Sequence, residues 1–289
     1  MALTVTPALI TRAAASLSEG GWRYTPKQLY YATCAEAETP ATASVANGEI
    51  GLGVLLVLLG LILIGVRVAS AALLALGAVL IVFGLIARLT RRAPDRRVLS
   101  ISFADFEGRR EGLTLPGLID SHAVAPAPGT AHGPAIVCDT TDNATAIAAN
   151  LEHAGLADVS VADRQSFTAP AGTRVAALHD ASPRGCALLL DLRDAGADVV
   201  DGGMRPAWIS QAAFQVIEGA PARLPRDLSP VLSEDEIAWL GSGRRVELAV
   251  LPPERLLRLA QRALELAGRH PDASGSGAPG LVPSLPDLP

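Results

Sequence analysis

The feature that most constrains this chain is a run of 38 residues, 50–87, interrupted by a single charge. Ile50 to Val66 reads IGLGVLLVLLGLILIGV, and Val68 to Ala87 continues after Arg67. At a helical rise of about 1.5 Å per residue the two segments would extend roughly 25 and 30 Å, close to the hydrocarbon thickness of a bilayer. The pattern predicts a two-helix transmembrane hairpin; its alternative is a central hairpin buried in a globular core. Gly53 with Gly60 and Gly77 with Gly84 recur at a seven-residue interval, which places each pair on one face where helices can approach closely. That spacing fits self-association through the glycine faces, and equally the ordinary abundance of glycine in membrane helices.

Charge sets the expected orientation. Residues 88–97 hold five arginines against Asp95, whereas the link between the apolar segments carries only Arg67. An arginine excess on the cytoplasmic flank predicts an inner (plasma) membrane protein with both termini cytoplasmic and the lipid bilayer as partner. A re-entrant hairpin is the other arrangement that the short first segment allows. The start, MALTVTPALITRAAASL, has no basic n-region and no continuous apolar core, so no signal peptide is expected. Residues 98–270 carry 15 arginines against 22 acidic residues, a net of −7, within a chain of net −5. No basic field favours nucleic acid. Cys34, Cys138 and Cys186 are odd in number and lack metal-ligand spacing, which predicts buried thiols in place of a disulfide frame.

Five regions are expected. Residues 1–49 form an N-terminal helical segment, 50–87 the hairpin, 88–97 a basic juxtamembrane linker, 98–270 a cytoplasmic α/β domain and 271–289 a disordered tail rich in Pro, Gly and Ser. In the first region, Thr25-Pro26-Lys27-Gln28 is a helix start: threonine caps, proline suits the first helical position and glutamine reaches back. With an earlier helix over Pro7 to Leu17, this makes a helix-turn-helix-like pair too small to stand alone. In the main domain, Ala135–Cys138, the region around Val159 and Val161, Arg174–Leu178 and Asp198–Val200 read as strands. Helices are expected with Asp142 as a cap, over Gly185 to Ala195, after the capping box Ser233-Glu234-Asp235-Glu236, and from Pro253 to about Leu266. Strands alternating with helices imply a Rossmann-like parallel sheet covered on both faces.

In such a sheet, ligands gather at the carboxyl ends of the strands. Asp139 and Asp180 both fall there, each after an apolar strand. Two carboxylates meeting at that edge could hold Mg2+, or each could cap the helix that follows.

The segment Tyr24-Thr25-Pro26-Lys27-Gln28-Leu29-Tyr30-Tyr31 resembles the tyrosine motif of the type IIB DNA topoisomerase A subunit and its relatives that make meiotic double-strand breaks. Val175 to Gly185, containing His179-Asp180-Ala181-Ser182-Pro183-Arg184-Gly185, resembles that family's Toprim metal turn, Asp-x-Asp-Pro-x-Gly after a strand. Val246-Glu247-Leu248-Ala249-Val250-Leu251 is similar to the Glu-x-x-x-Leu stretch that follows Toprim. The motifs occur in the family's order across about half of the chain. The resemblance implies a Toprim-like fold, Tyr31 as the nucleophile on a DNA phosphate, and Mg2+ on Asp139 and Asp180.

The departures are equally specific. Ser182 stands where the family has its second metal aspartate, and Asp139 where it has a longer glutamate. Phosphate contacts dominate DNA affinity, and a domain of net −7 offers no basic groove for them. Phosphate-loop, nucleophile-elbow and zinc-histidine signatures are absent from the sequence. The expectation is therefore a membrane-anchored, degenerate Toprim-like module, non-catalytic and serving to bind or scaffold, with no cofactor. Its rival is a membrane-tethered, Mg2+-dependent strand-breaking enzyme using Tyr31, Asp139 and Asp180. A third reading is a structural protein that only pairs with its own copy.

Overall fold

The computed structural model describes residues 5–38, 78, 79, 82, 101–119, 135–168, 172–209, 214–221 and 223–268. The chain divides into two compact units, residues 1–37 with 96–289, and residues 38–95. The description that follows concerns the first.

Two sequence rules build its core, the alternation of side chains along a strand and the short apolar strand bounded by a polar cap. Strands β1 (Ala135–Cys138), β2 (Ser160–Asp163), β3 (Arg174–Leu178) and β4 (Asp198–Asp201) form one parallel sheet in the order β2-β1-β3-β4. Alternate residues of the two central strands enter different layers, as period-two geometry requires. Ile136, Cys138, Ala176 and Leu178 pack on one face with helices α4 (Thr141–Ala148) and α8 (Pro253–Gly268). Ala135, Val137, Val175 and Ala177 pack on the other with α5 (Pro183–Asp194) and α7 (Glu234–Gly241). The sheet is thus covered on both faces, and its central strands are apolar throughout because neither face meets water.

Helices α1 (Pro7–Leu17), α2 (Pro26–Glu38) and α3 (Phe103–Arg110) build a third apolar cluster around Tyr24, Leu29, Tyr30 and Phe106. Thr25 and Gln28 make the reciprocal cap: the Gln28 N–H donates to Thr25 Oγ1 at 3.3 Å and the Thr25 N–H to Gln28 Oε1 at 3.0 Å. Three further bonds dock this segment on the sheet layers. Asn150 accepts the Arg23 N–H at 2.8 Å, Gln28 Nε2 donates to the Leu251 carbonyl at 3.0 Å, and Gln215 Nε2 donates to the Tyr31 carbonyl at 3.0 Å. Among the described residues of this unit the remaining helices are α6 (Pro206–Ile209) and two 3₁₀ turns, and β5 (Ile217–Glu218) pairs antiparallel with β6 (Arg244–Arg245).

The capping box before α7 is present in full, with Ser233 and Glu236 each serving the other's backbone N–H. Ser233→Ala is expected to lower stability by about 1 kcal/mol, read as a shifted urea midpoint at unchanged slope.

The expected two-helix transmembrane hairpin is corrected. Among the described residues no helix is long and apolar enough to cross a membrane. The longest described helix, α8, has 16 residues, about 24 Å at 1.5 Å per residue. That is short of a hydrocarbon core of about 30 Å, and α8 also carries Glu254, Arg255, Arg258, Arg262 and Glu265. The inner-membrane location with both termini cytoplasmic rested on that hairpin and falls with it. Within 50–87 only Ala78, Val79 and Val82 are described, as helical. The rest of that stretch, the linker 88–97 and the tail 271–289 lie outside the described residues.

Two smaller expectations are also corrected. Thr140, not Asp142, caps α4, accepting the Asn143 N–H. Helix α5 begins at Pro183 with Ser182 as its cap, because a hydroxyl one residue before a proline at N1 is in register to accept the N3 amide.

Candidate functional site

The carboxyl ends of β1 and β3 lie side by side at the centre of the sheet, so the residues that follow them meet. The Asp139 N–H continues the ladder to the Leu178 carbonyl at 3.1 Å, and the Asp180 N–H donates to Asp139 Oδ2 at 2.9 Å. Since Thr140 and Ser182 do the capping, both aspartate side chains are released from that task and turn toward each other. Asn143, one helical turn beyond Asp139, bridges them. Its Nδ2 donates to Asp139 Oδ1 at 2.9 Å and to Asp180 Oδ1 at 3.2 Å, so the two oxygens are at most about 6 Å apart. Gly185 makes room: a Cβ there would lie 2.4 Å from the Asp180 carbonyl oxygen and 2.9 Å from Asp139 Oδ2.

A second strand of contacts joins this pair to the N-terminal helices. Ala181 and Val246 exchange backbone hydrogen bonds at 2.9 and 3.1 Å, and the amide two residues further on, that of Leu248, donates to Asp180 Oδ1 at 2.6 Å. Glu247 is thereby held beside Asp180. Its carboxylate raises the pKa of the Tyr31 phenol and lies 3.3 Å from Lys27 Nζ, which is 3.5 Å from Asp142 Oδ2 on its other side. Lys27 and Tyr31 are four apart on α2 and share a face. Tyr31, Asp139 and Asp180 therefore belong to one neighbourhood, in which Asn143, Lys27, Asp142 and Glu247 are the connecting groups.

Electrostatics follows from burial. Asp139 and Asp180 are almost fully buried. Loss of water raises the pKa of both; Asp180, raised further by the charges of Asp139 and Glu247, is pushed up to about 8. Near neutrality the pair therefore holds a proton between two carboxyls, the usual outcome when like charges share a dry site. For Lys27 burial would favour the neutral amine, but Glu247 and Asp142 outweigh it and its pKa is raised. Burial, and then the Glu247 carboxylate, raise the Tyr31 phenol well above its ordinary value.

Beneath Asp180 lies a buried ion pair that sequence reasoning missed. His179 Nε2 is 3.1 Å from Asp201 Oδ1 and Nδ1 is 2.9 Å from the Asp180 carbonyl. Burial would favour a neutral ring, but the Asp201 carboxylate reverses this and holds His179 well above the ordinary histidine value. An imidazolium donates from both nitrogens, which matches both acceptors.

Magnesium, which the resemblance implies, does not fit the donors present. The Asn143 amide projects its two hydrogens between the aspartates, where an ion would have to sit. The Asp180 and Leu248 amides occupy further oxygen positions. Ser182 turns away to accept the Gly185 N–H at 2.9 Å. Among the described residues no group of three or more His, Cys, Asp or Glu is arranged to hold a metal.

Beside the carboxylates opens a cleft of about 500 Å³, walled by Lys27, Tyr30, Tyr31, Phe103, Arg245 and Glu247 among others. Arg245 is exposed and makes no ion pair among the described residues. Asn143 had a sequence signal, its i+4 spacing from Asp139. Glu247 and Lys27 stood within the motifs that carry the resemblance, but nothing in the sequence paired them, because their roles depend on the Ala181–Val246 bridge and on the docking of α2. No family model matches the chain, and neither curated proteins nor solved structures give a match.

Proposed function

We propose that this chain carries a degenerate Toprim-like domain that binds a partner through the cleft beside Tyr31 and does not break DNA strands. The carrying observation is the Asn143 amide between Asp139 and Asp180, which neutralises by hydrogen bonding the place where the family's metal chemistry acts. Supporting it, Ser182 serves as a helix cap, and Tyr31 is buried with its phenol held well above its ordinary pKa. The cleft has the volume and the mixed apolar and charged lining of ordinary ligand sites.

One observation favours a second reading. A carboxylate acting on a tyrosine, as Glu247 acts on Tyr31, is also how a general base stands to its nucleophile. Against it, the raised phenol pKa makes the phenolate scarce, and a phosphoryl transition state needs cationic stabilisation that Lys27, already shared by Glu247 and Asp142, does not supply freely.

Supercoiled plasmid incubated with the full chain and Mg2+ or Mn2+ separates the two. The expected result is no nicked or linear product above a Tyr31→Phe control. Cleavage present in the parent and lost on Tyr31→Phe would establish the enzyme instead.

A further inference from the structure

We infer that the ammonium of Lys27 takes the place of a divalent cation, so that the carboxylates around it form a cation site whose ion is built into the chain. This rests on the reading of the site as metal-free and states what replaces the metal.

Four carboxylates surround the site: Asp139 after β1, Asp142 in the first turn of α4, Asp180 after β3, and Glu247 beyond β6. Asn143 serves the inner two by hydrogen bonding. The outer two face Lys27 Nζ from different segments, at 3.5 Å for Asp142 and 3.3 Å for Glu247. One ammonium thus balances two carboxylates drawn together from positions 142 and 247, as a bridging ion would.

The choice of residue is informative. The chain uses 23 arginines and a single lysine, and that lysine is Lys27. Arginine is a planar fork suited to pairing one carboxylate at a time, whereas the lysine ammonium is a compact point charge with three rotatable donors. Of the two basic side chains it is the closer to a small metal ion in size and in directional freedom. A chain that otherwise meets its need for positive charge with arginine places its one lysine between two carboxylates from different segments.

The bland account is that Lys27 merely ties α2 to α4 and the β6 segment. The two accounts separate once the ammonium is gone. A lost tie weakens the protein whatever the solution contains. A vacated cation position leaves Asp142 and Glu247 uncompensated, and a divalent ion restores the balance. The two oxygens are at most about 6.8 Å apart, the sum of their distances to Nζ. An ion entering there would bind one directly and reach the other through its own water or a small shift, as Ca2+ and Mg2+ readily do. About a third of the Lys27 side chain is exposed, so the position is open to a hydrated ion.

The test uses the full chain as parent, Lys27→Met, Lys27→Arg, and Lys27→Met combined with Asp142→Asn. Each is freed of metal with EDTA and titrated with CaCl2 at constant ionic strength. Thermal unfolding and terbium luminescence sensitised by Tyr31 are the readouts. The parent is expected to give no calcium-dependent shift. Lys27→Met is expected to melt lower in EDTA and to recover with calcium at roughly 10⁻⁴–10⁻³ M, the range of weak calcium sites. It should also show terbium luminescence that calcium displaces. Adding Asp142→Asn should abolish both responses, and Lys27→Arg should stay blind to calcium yet melt below the parent. Should Lys27→Met fold only when calcium is supplied, the inference is supported in its strongest form. It is overturned if Lys27→Met ignores calcium or fails to fold with or without it, and in that case an intact plasmid leaves the binding-module reading standing. A calcium response in the parent itself, lost on Asp142→Asn, would overturn both.

Discussion

Asp180→Asn is expected to be more stable than the parent at pH 8, with the difference shrinking as the pH falls toward 5. In the folded chain the Asp180 carboxyl is held protonated up to about pH 8 by burial and by the Asp139 and Glu247 charges, whereas in the unfolded chain it ionises near pH 4. A folded-state pKa above the unfolded value means that the folded form binds the extra proton. Its contribution is therefore complete below about pH 4 and is lost as pH rises through about 8. Within that window the parent should lose up to about 1.4 kcal/mol per pH unit from this group. Asparagine presents the same shape without a proton to lose, and its oxygen can keep the bonds from Asn143 and Leu248. His179 contributes a slope of the same sign above about pH 6.5, since its pKa is also raised. The quantity to measure is therefore the difference between the two proteins in urea midpoints at pH 5, 6, 7 and 8. A constant difference would mean that Asp180 is already ionised at pH 5, and the shared-proton account of the dyad would be wrong.

Gly203→Ala is expected to cost about 3 kcal/mol or more. A Cβ at this position would fall 2.2 Å from His179 Cδ2 and 2.4 Å from Cγ and Nε2. His179 is fully buried, and its ring is held at one nitrogen by Asp201 and at the other by the Asp180 carbonyl. It can move aside only by breaking one of those bonds. Overpacking alone costs about 1–3 kcal/mol, and separating a buried ion pair about 3–5 kcal/mol. The upper end is reduced here because Arg205 also stabilises the Asp201 carboxylate. Gly108→Ala is the control: it lies inside α3 with nothing within 4 Å of its added Cβ, and should gain about 0.5–1 kcal/mol from helix propensity. Denaturant midpoints of the two variants decide the matter. A loss under 1 kcal/mol for Gly203→Ala would show that the histidine is not wedged.

The site residues differ in how far sequence could take them. Asp139 and Asp180 were placed at strand ends by the apolar runs before them, and the parallel order of those strands makes the two positions neighbours. Whether each carboxylate caps a helix or faces the other could not be read, because Thr140 and Ser182 offer a competing hydroxyl one residue later or two. Backbone register decides between those acceptors, and register is a property of the folded sheet. Tyr31 was singled out by resemblance, but its burial against Glu247 depends on α2 docking over Leu251 and Gln215. Those contacts span about 200 residues of sequence.

By itself the sequence determined the local elements: strands where apolar residues run short and continuous, helix starts where a hydroxyl precedes proline or an acidic turn, and a sheet covered on two sides. These depend on interactions among residues a few positions apart, which a linear pattern records. Only the tertiary structure decided that a lone lysine meets Asp142 and Glu247, that Asn143 closes the carboxylate pair, that His179 pairs with Asp201, and that no described helix can cross a bilayer. Burial and long-range charge act through space, and their strength is set by distance and dielectric; neither is written in the order of the residues.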